Sequence, residues 1–122
     1  MIRVVVVDDH MVVRSGLEQL LATTGDIELV GTASNGLEAI DLVADTDPDV
    51  VLMDLSMPEL DGVEATRRIS ERFPRSRVLV LTSFSDQTRI LDALNAGADG
   101  YLLKHAEPEE IAEAAVFLAS AK

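Results

Sequence analysis

The 122-residue chain has no cysteine, no tryptophan, one tyrosine and three phenylalanines. Without cysteine there can be neither a disulfide nor a thiolate metal site. That composition suits the cytosol, and a cytoplasmic location is expected. The scarcity of aromatic rings removes the stacking platforms that single-stranded nucleic acid uses. Basic residues are also few: 10 Lys and Arg against 22 Asp and Glu give a formal net charge of −12. A surface of that sign repels a phosphate backbone, so DNA contact by this chain itself is not expected. No apolar run reaches the roughly 20 residues of a membrane span. The run from Val4 to Val7 is too short for a signal peptide and stops at Asp8-Asp9.

Hydrophobic residues make up 48% of the chain, which suffices for the core of one domain of this length. Short apolar runs alternate with longer stretches of helical period, the pattern of successive βα units around a parallel sheet. Strands are expected at about 2–7, 28–33, 50–53, 77–81 and 100–103. The second alternates polar and apolar residues and is placed at a sheet edge. The continuous Val and Leu runs of the others imply helices on both faces. Helical stripes are expected at Val13, Leu17, Leu20 and Leu21; at Leu37, Ile40 and Val43 or Ala44; at Val63, Ile69 and Phe73; at Ile90, Leu91 and Leu94; and at Ile111, Ala114, Ala115 and Leu118. Asp47-Pro48 and Pro74 stop two helices. Asp61 caps a third, Gly97 closes a fourth, and Pro108 opens the last ahead of Glu109 and Glu110.

Four apolar runs end in a lone polar group: Val4–Val7 in Asp8-Asp9, Val50–Met53 in Asp54, Val78–Leu81 in Thr82, and Tyr101–Leu103 in Lys104. In a parallel sheet these groups share the carboxyl edge, where open α/β sheets bind ligands. Each has an ordinary explanation alone. Asp8 or Asp9 can cap a helix, Asp54 can be a loop carboxylate, Thr82 can start a turn, Lys104 can be solvated and Tyr101 can sit in the core. Their conjunction at the ends of four strands is the informative observation.

Three aspartates and one lysine sum to −2. Two carboxylates about 4 Å apart repel by about 4 kcal/mol at an effective dielectric near 20. Such a pocket raises a carboxyl pKa or recruits a cation. One or two carboxylates, completed by water and phosphate oxygens, describe Mg²⁺ better than Ca²⁺. A carboxylate can also be a nucleophile that forms an aspartyl phosphate. Asp54 suits that role, Asp8 and Asp9 suit the metal, and Thr82 and Lys104 suit the phosphoryl oxygens.

From end to end the chain resembles the receiver domain of bacterial two-component response regulators. The motifs are Asp8-Asp9-His10, Asp54 followed by Met57-Pro58 and Asp61-Gly62, Thr82-Ser83, Ala96-Gly97-Ala98, and Tyr101 three residues before Lys104. Val13-Arg14-Ser15-Gly16-Leu17 after the acidic pair resembles the NarL/FixJ (LuxR-type) subfamily. The resemblance implies a flavodoxin-like five-stranded parallel sheet of order 2-1-3-4-5 with helices on both faces, spanning residues 1–122.

It implies Asp54 as phosphoacceptor, and Mg²⁺ on Asp9, Asp54 and the Ser56 backbone carbonyl, with Asp8 acting through water. Thr82 and Lys104 would bind the phosphoryl group, and Thr82 and Tyr101 would form the switch. A sensor histidine kinase would be the donor, and homodimerisation would follow phosphorylation. Transcription would be controlled through a C-terminal helix-turn-helix domain outside this chain. The fourth helix, fifth strand and fifth helix form the expected output face. Met11 and Val12 are candidates for kinase contact. One departure stands out: many receivers have proline after the lysine, and here it is His105. A cis bond without proline costs about 3–4 kcal/mol.

Other readings are a haloacid dehalogenase-type phosphatase, a flavin-binding electron carrier and a receiver-like module that is never phosphorylated. The phosphatase needs a second carboxylate two residues after the nucleophile, where this chain has Ser56. In the flavin carrier, Asp8-Asp9 would repel the cofactor's phosphate.

Overall fold

The computed structural model describes residues 1–57, 59–83, 88–104 and 106–120. Strands and helices alternate: β1 (Ile2–Val7), α1 (Met11–Ala22), β2 (Ile27–Ala33), α2 (Gly36–Thr46), β3 (Val50–Asp54), α3 (Gly62–Arg72), β4 (Arg77–Thr82), α4 (Ile90–Ala96), β5 (Gly100–Leu103) and α5 (Pro108–Ser120). All strand pairs are parallel and the order is β2-β1-β3-β4-β5. The expected fold is the observed one, with the alternating strand β2 at an edge.

Strand side chains point to alternate faces, and this divides the core into two. Val5, Val7, Val51, Met53, Val78 and Val80 meet Ala39, Ile40 and Val43 of α2, Ala65 and Ile69 of α3, and Ala93 of α4. On the other face Val4, Val6, Leu52, Leu79 and Leu81 meet Leu17 and Leu21 of α1 and Ile111, Ala115 and Leu118 of α5. Each fully buried Val or Leu contributes roughly 1.5–3 kcal/mol. Strands apolar on both faces therefore hold the sheet's carboxyl edge rigid.

Two helical stripes differ from expectation. Leu91 and Leu94 of α4 are exposed, and the helix buries Ala93 and Ala96 instead. The reason is close packing of α3 against the end of α4. A Cβ at Gly97, whose φ is +116°, would lie 2.1 Å from Ser70 Oγ, so only small residues fit that interface. In α2, Leu37 is likewise exposed while Gly36, Ala39, Ile40 and Val43 are buried. Asp47 ends α2 in the left-handed region (φ 47°, ψ 60°), outside the right-handed region that the following Pro48 disfavours.

The loop after β3 is held from below. Gly62 N–H donates to the Leu55 carbonyl at 2.9 Å. A Cβ on Gly62 would stand 2.1 Å from the Asp54 carbonyl oxygen. Glycine there lets α3 start directly against the backbone of Asp54. Asp61 accepts the Glu64 N–H at 3.0 Å and caps the helix as expected.

Candidate functional site

The parallel register brings the strand-end polar groups together. Val7 pairs with Met53, so Asp8, one residue past β1, stands beside Asp54, the last residue of β3. Thr82, the last residue of β4, pairs with Leu103, and the Lys104 N–H donates to the Thr82 carbonyl at 2.8 Å. Lys104 Nζ then reaches back across the edge. It lies 3.0 Å from Asp54 Oδ1 and 3.1 Å from Asp8 Oδ2. The Asp8 and Asp54 side chains are 2% and 1% exposed.

Burial, followed by the charge of Asp8, pushes the Asp54 carboxyl up to about 6. The Lys104 ammonium and the Ser56 N–H, 3.4 Å from Oδ1, pull it back only in part. Burial also works against the Lys104 charge. Asp54, by hydrogen bond and by charge, and then Asp8 outweigh it and hold the ammonium above its usual range. Burial first, and the charge of Asp8 second, thus raise the Asp54 carboxyl.

Among the described residues, three buried carboxylate oxygens of this edge accept no hydrogen bond: Asp8 Oδ2 and Asp9 Oδ1, which have ion-pair contacts with Lys104 and His10, and Asp54 Oδ2. Buried oxygens without a donor are costly. Asp8, Asp9, His10 and Asp54 each offer a ligand atom, and these atoms lie within 4.8 Å of one another. Carboxylate oxygens carrying excess negative charge fit a hard divalent cation such as Mg²⁺.

The other expected site residues are arranged less directly. The buried Thr82 hydroxyl donates to the Ser83 carbonyl at 3.2 Å. Ser56 is exposed, and its Oγ lies 3.4 Å from Arg89 Nη1. Tyr101, on edge strand β5, is half exposed rather than in the core. Pro58 and the Lys104–His105 bond lie outside the described residues.

Three neighbours escaped the sequence reading. His10 places Nδ1 3.1 Å from both Asp8 Oδ1 and Asp9 Oδ1. Arg14 donates to the Asp8 carbonyl at 2.6 Å. Arg89 Nη2 pairs with Asp61 Oδ2 at 2.8 Å and ties the start of α4 to the loop after β3. The Asp-Asp-His triplet at a strand end was a readable signal for the first. Arg89 and Asp61 are 28 residues apart, and no local pattern links them.

Residues 4–116 match the family described as the response regulator receiver domain. The chain belongs to that family. It is 52% identical over 109 residues to the Bacillus subtilis transcriptional regulatory protein YhcZ, covering 89% of this chain and 51% of that protein. It is 46% identical over 114 residues to the Bacillus subtilis transcriptional regulatory protein LiaR, covering 93% and 54%. The receiver domain of the putative response regulator NarL from Mycobacterium tuberculosis superposes with a TM-score of 0.93 at 34% identity, over 99% of this chain and 98% of that one. A LuxR-family response regulator from Aurantimonas sp. SI85-9A1 gives 0.88 at 36% identity, over 98% and 86%. The receiver domain thus falls among LuxR/NarL-type regulators, and it spans about half the length of the curated relatives it matches. The match gives no support to a haloacid dehalogenase-type phosphatase. Among the described residues, no helix is long and apolar enough to cross a membrane.

Proposed function

We propose that Asp54 is the residue phosphorylated in this receiver domain. The observation that carries the reading is the state of its carboxylate. The group is buried at the sheet edge, with Oδ1 held by Lys104 and Oδ2 accepting nothing. Oδ2 is therefore free to attack phosphorus. A new O–P bond forms as the donor's bond to phosphorus breaks, and the electron pair leaves with the donor. Lys104 holds Asp54 in place beforehand and neutralises charge on the phosphoryl oxygens afterwards. Thr82 rotates its hydroxyl from the Ser83 carbonyl to a phosphoryl oxygen. That movement vacates space for the Tyr101 ring, which now stands half exposed.

Asp9, Asp54 and the Ser56 carbonyl would hold Mg²⁺, with Asp8 acting through water. The ion, when bound, supplies positive charge against the incoming phosphoryl group. The same environment assists both gain and hydrolytic loss of the phosphoryl group.

The donor in this reading is a phosphohistidine on a sensor kinase. Met11 and Val12, large apolar side chains exposed at the start of α1, are the proposed contact. The output is transcriptional, in the cytoplasm, through a helix-turn-helix domain C-terminal to residues 1–122. In support, two relatives of about twice this span are named transcriptional regulators. The net charge of −12 also leaves DNA contact to another domain. Phosphorylation favours a homodimer, and the switch is read on α4, β5 and α5, where Leu91 and Tyr101 are exposed.

Intact mass spectrometry after incubation with acetyl phosphate tests the central step. One phosphoryl adduct is expected with Mg²⁺, and none with EDTA or in Asp54→Asn. An adduct of equal yield in Asp54→Asn would refute the assignment.

A further inference from the structure

Arg89 precedes the first turn of α4, and its side chain reaches the loop between β3 and α3. The guanidinium meets both ends of that loop. Nη1 lies 3.4 Å from the Leu55 carbonyl oxygen and 3.4 Å from Ser56 Oγ, and Nη2 lies 2.8 Å from Asp61 Oδ2. The Leu55 carbonyl also accepts the Gly62 N–H at 2.9 Å. One acceptor thus joins the end of β3, the start of α3 and a side chain from α4.

The Arg89 and Asp61 side chains are 28% and 46% exposed. An ion pair in contact with water adds little to global stability, so its effect here is on geometry. Arginine suits that task because its planar fork fixes several directions at once. The loop it holds begins one residue after Asp54. The Ser56 N–H stands 3.4 Å from Asp54 Oδ1, so a shift of residues 55 and 56 changes what surrounds that carboxylate.

We propose that Arg89 is a positioning residue for phosphoryl transfer to Asp54, clamping the loop from Leu55 to Asp61 so that Ser56 keeps its place beside the carboxylate. This rests on the reading that Asp54 is phosphorylated with Mg²⁺ bound. Arg89 acts through the loop and not on the reacting oxygen. A loosened loop weakens ion binding, and excess Mg²⁺ recovers the loss by mass action.

The test compares wild type with Arg89→Ala, Arg89→Lys, Asp61→Asn and the Arg89→Ala/Asp61→Asn double variant. Asparagine keeps an N-cap acceptor for α3 and loses the charge. Arg68→Ala is the control, since Arg68 pairs with Glu64 on the outer face of α3. The first readout needs neither ion nor phosphate: amide hydrogen exchange by NMR in EDTA. Gly62 should exchange about three- to tenfold faster in Arg89→Ala and Asp61→Asn, with Val5 and Val51 unchanged. The second is the rate of phosphorylation by acetyl phosphate at varied MgCl₂. The Mg²⁺ concentration for half-maximal rate should rise about fivefold or more, while the rate at saturating Mg²⁺ stays within about twofold of wild type. Arg89→Lys should fall between, because an ammonium lacks the fork that spans Asp61 and Leu55. The double variant should be no worse than Arg89→Ala, and Arg68→Ala should match wild type. Unchanged Gly62 exchange, an unchanged Mg²⁺ requirement, additive losses in the double variant or equal effects in Arg68→Ala would overturn the proposal and leave Asp54 as the acceptor. Failure of wild type to be phosphorylated at any Mg²⁺ concentration would overturn that reading and the role of Arg89 with it.

Discussion

The buried Asp54 carboxylate makes a strong prediction about stability. Its folded-state pKa of about 6 stands above the ordinary 3.8 because burial and Asp8 together outweigh Lys104. Above pH 6 the folded protein carries the whole cost of ionising it. Two pH units correspond to about 3 kcal/mol. Between about pH 4 and pH 6 the folded state binds a proton that the unfolded state has released, so this group's contribution falls as pH rises through that window. Below about pH 4 both states are protonated and the cost is absent.

Asp54→Asn removes the ionisation. In EDTA at pH 7.5 the variant should be more stable than wild type by up to about 3 kcal/mol, and at pH 4 by close to nothing. Urea unfolding followed by far-UV circular dichroism measures this, and suits a chain without tryptophan. Mg²⁺ should narrow the gap by stabilising wild type: at 100 times its dissociation constant, binding adds about 2.7 kcal/mol. A less stable variant at pH 7.5, or the same gain at both pH values, would refute the electrostatic reasoning.

Two further substitutions probe the same edge. Lys104→Met leaves Asp8 and Asp54 buried without their cation, and should cost about 2–4 kcal/mol at pH 7.5. Adding Asp54→Asn in the Lys104→Met chain should stabilise by more than it does in wild type, and equal gains in the two backgrounds would contradict the pairing. Gly62→Ala drives a methyl group into the Asp54 carbonyl, 2.1 Å away. It should cost at least about 2 kcal/mol in unfolding free energy and slow phosphoryl uptake from acetyl phosphate, whereas wild-type stability would mean that α3 can withdraw from β3 freely.

Much of this architecture was legible because its signals are local. Val4–Val7 and Val50–Met53 are apolar on both faces, which only a sheet covered on two sides accommodates. The polar residue closing each run marks the edge where ligands gather, so Asp8, Asp54, Thr82 and Lys104 were readable as one group. What escaped depends on distances that sequence does not encode. The exposure of Leu91 and Leu94 follows from how closely Gly97 approaches Ser70, a contact between α3 and the end of α4. The Arg89–Asp61 pair joins two loops, and the turn of the His10 ring toward two carboxylates is a matter of side-chain orientation. The ordinary alternative for Tyr101, a place in the core, is not the observed one, because edge strand β5 leaves the ring half exposed.

The most direct test of the central claim is chemical. Borohydride reduces an aspartyl phosphate to homoserine and leaves free carboxylates alone, so reduction after acetyl phosphate treatment, followed by peptide mass mapping, reports which carboxylate reacted. The account predicts homoserine at position 54 and nowhere else. Homoserine at position 8 or 9, or a phosphoryl group recovered on histidine, would contradict it.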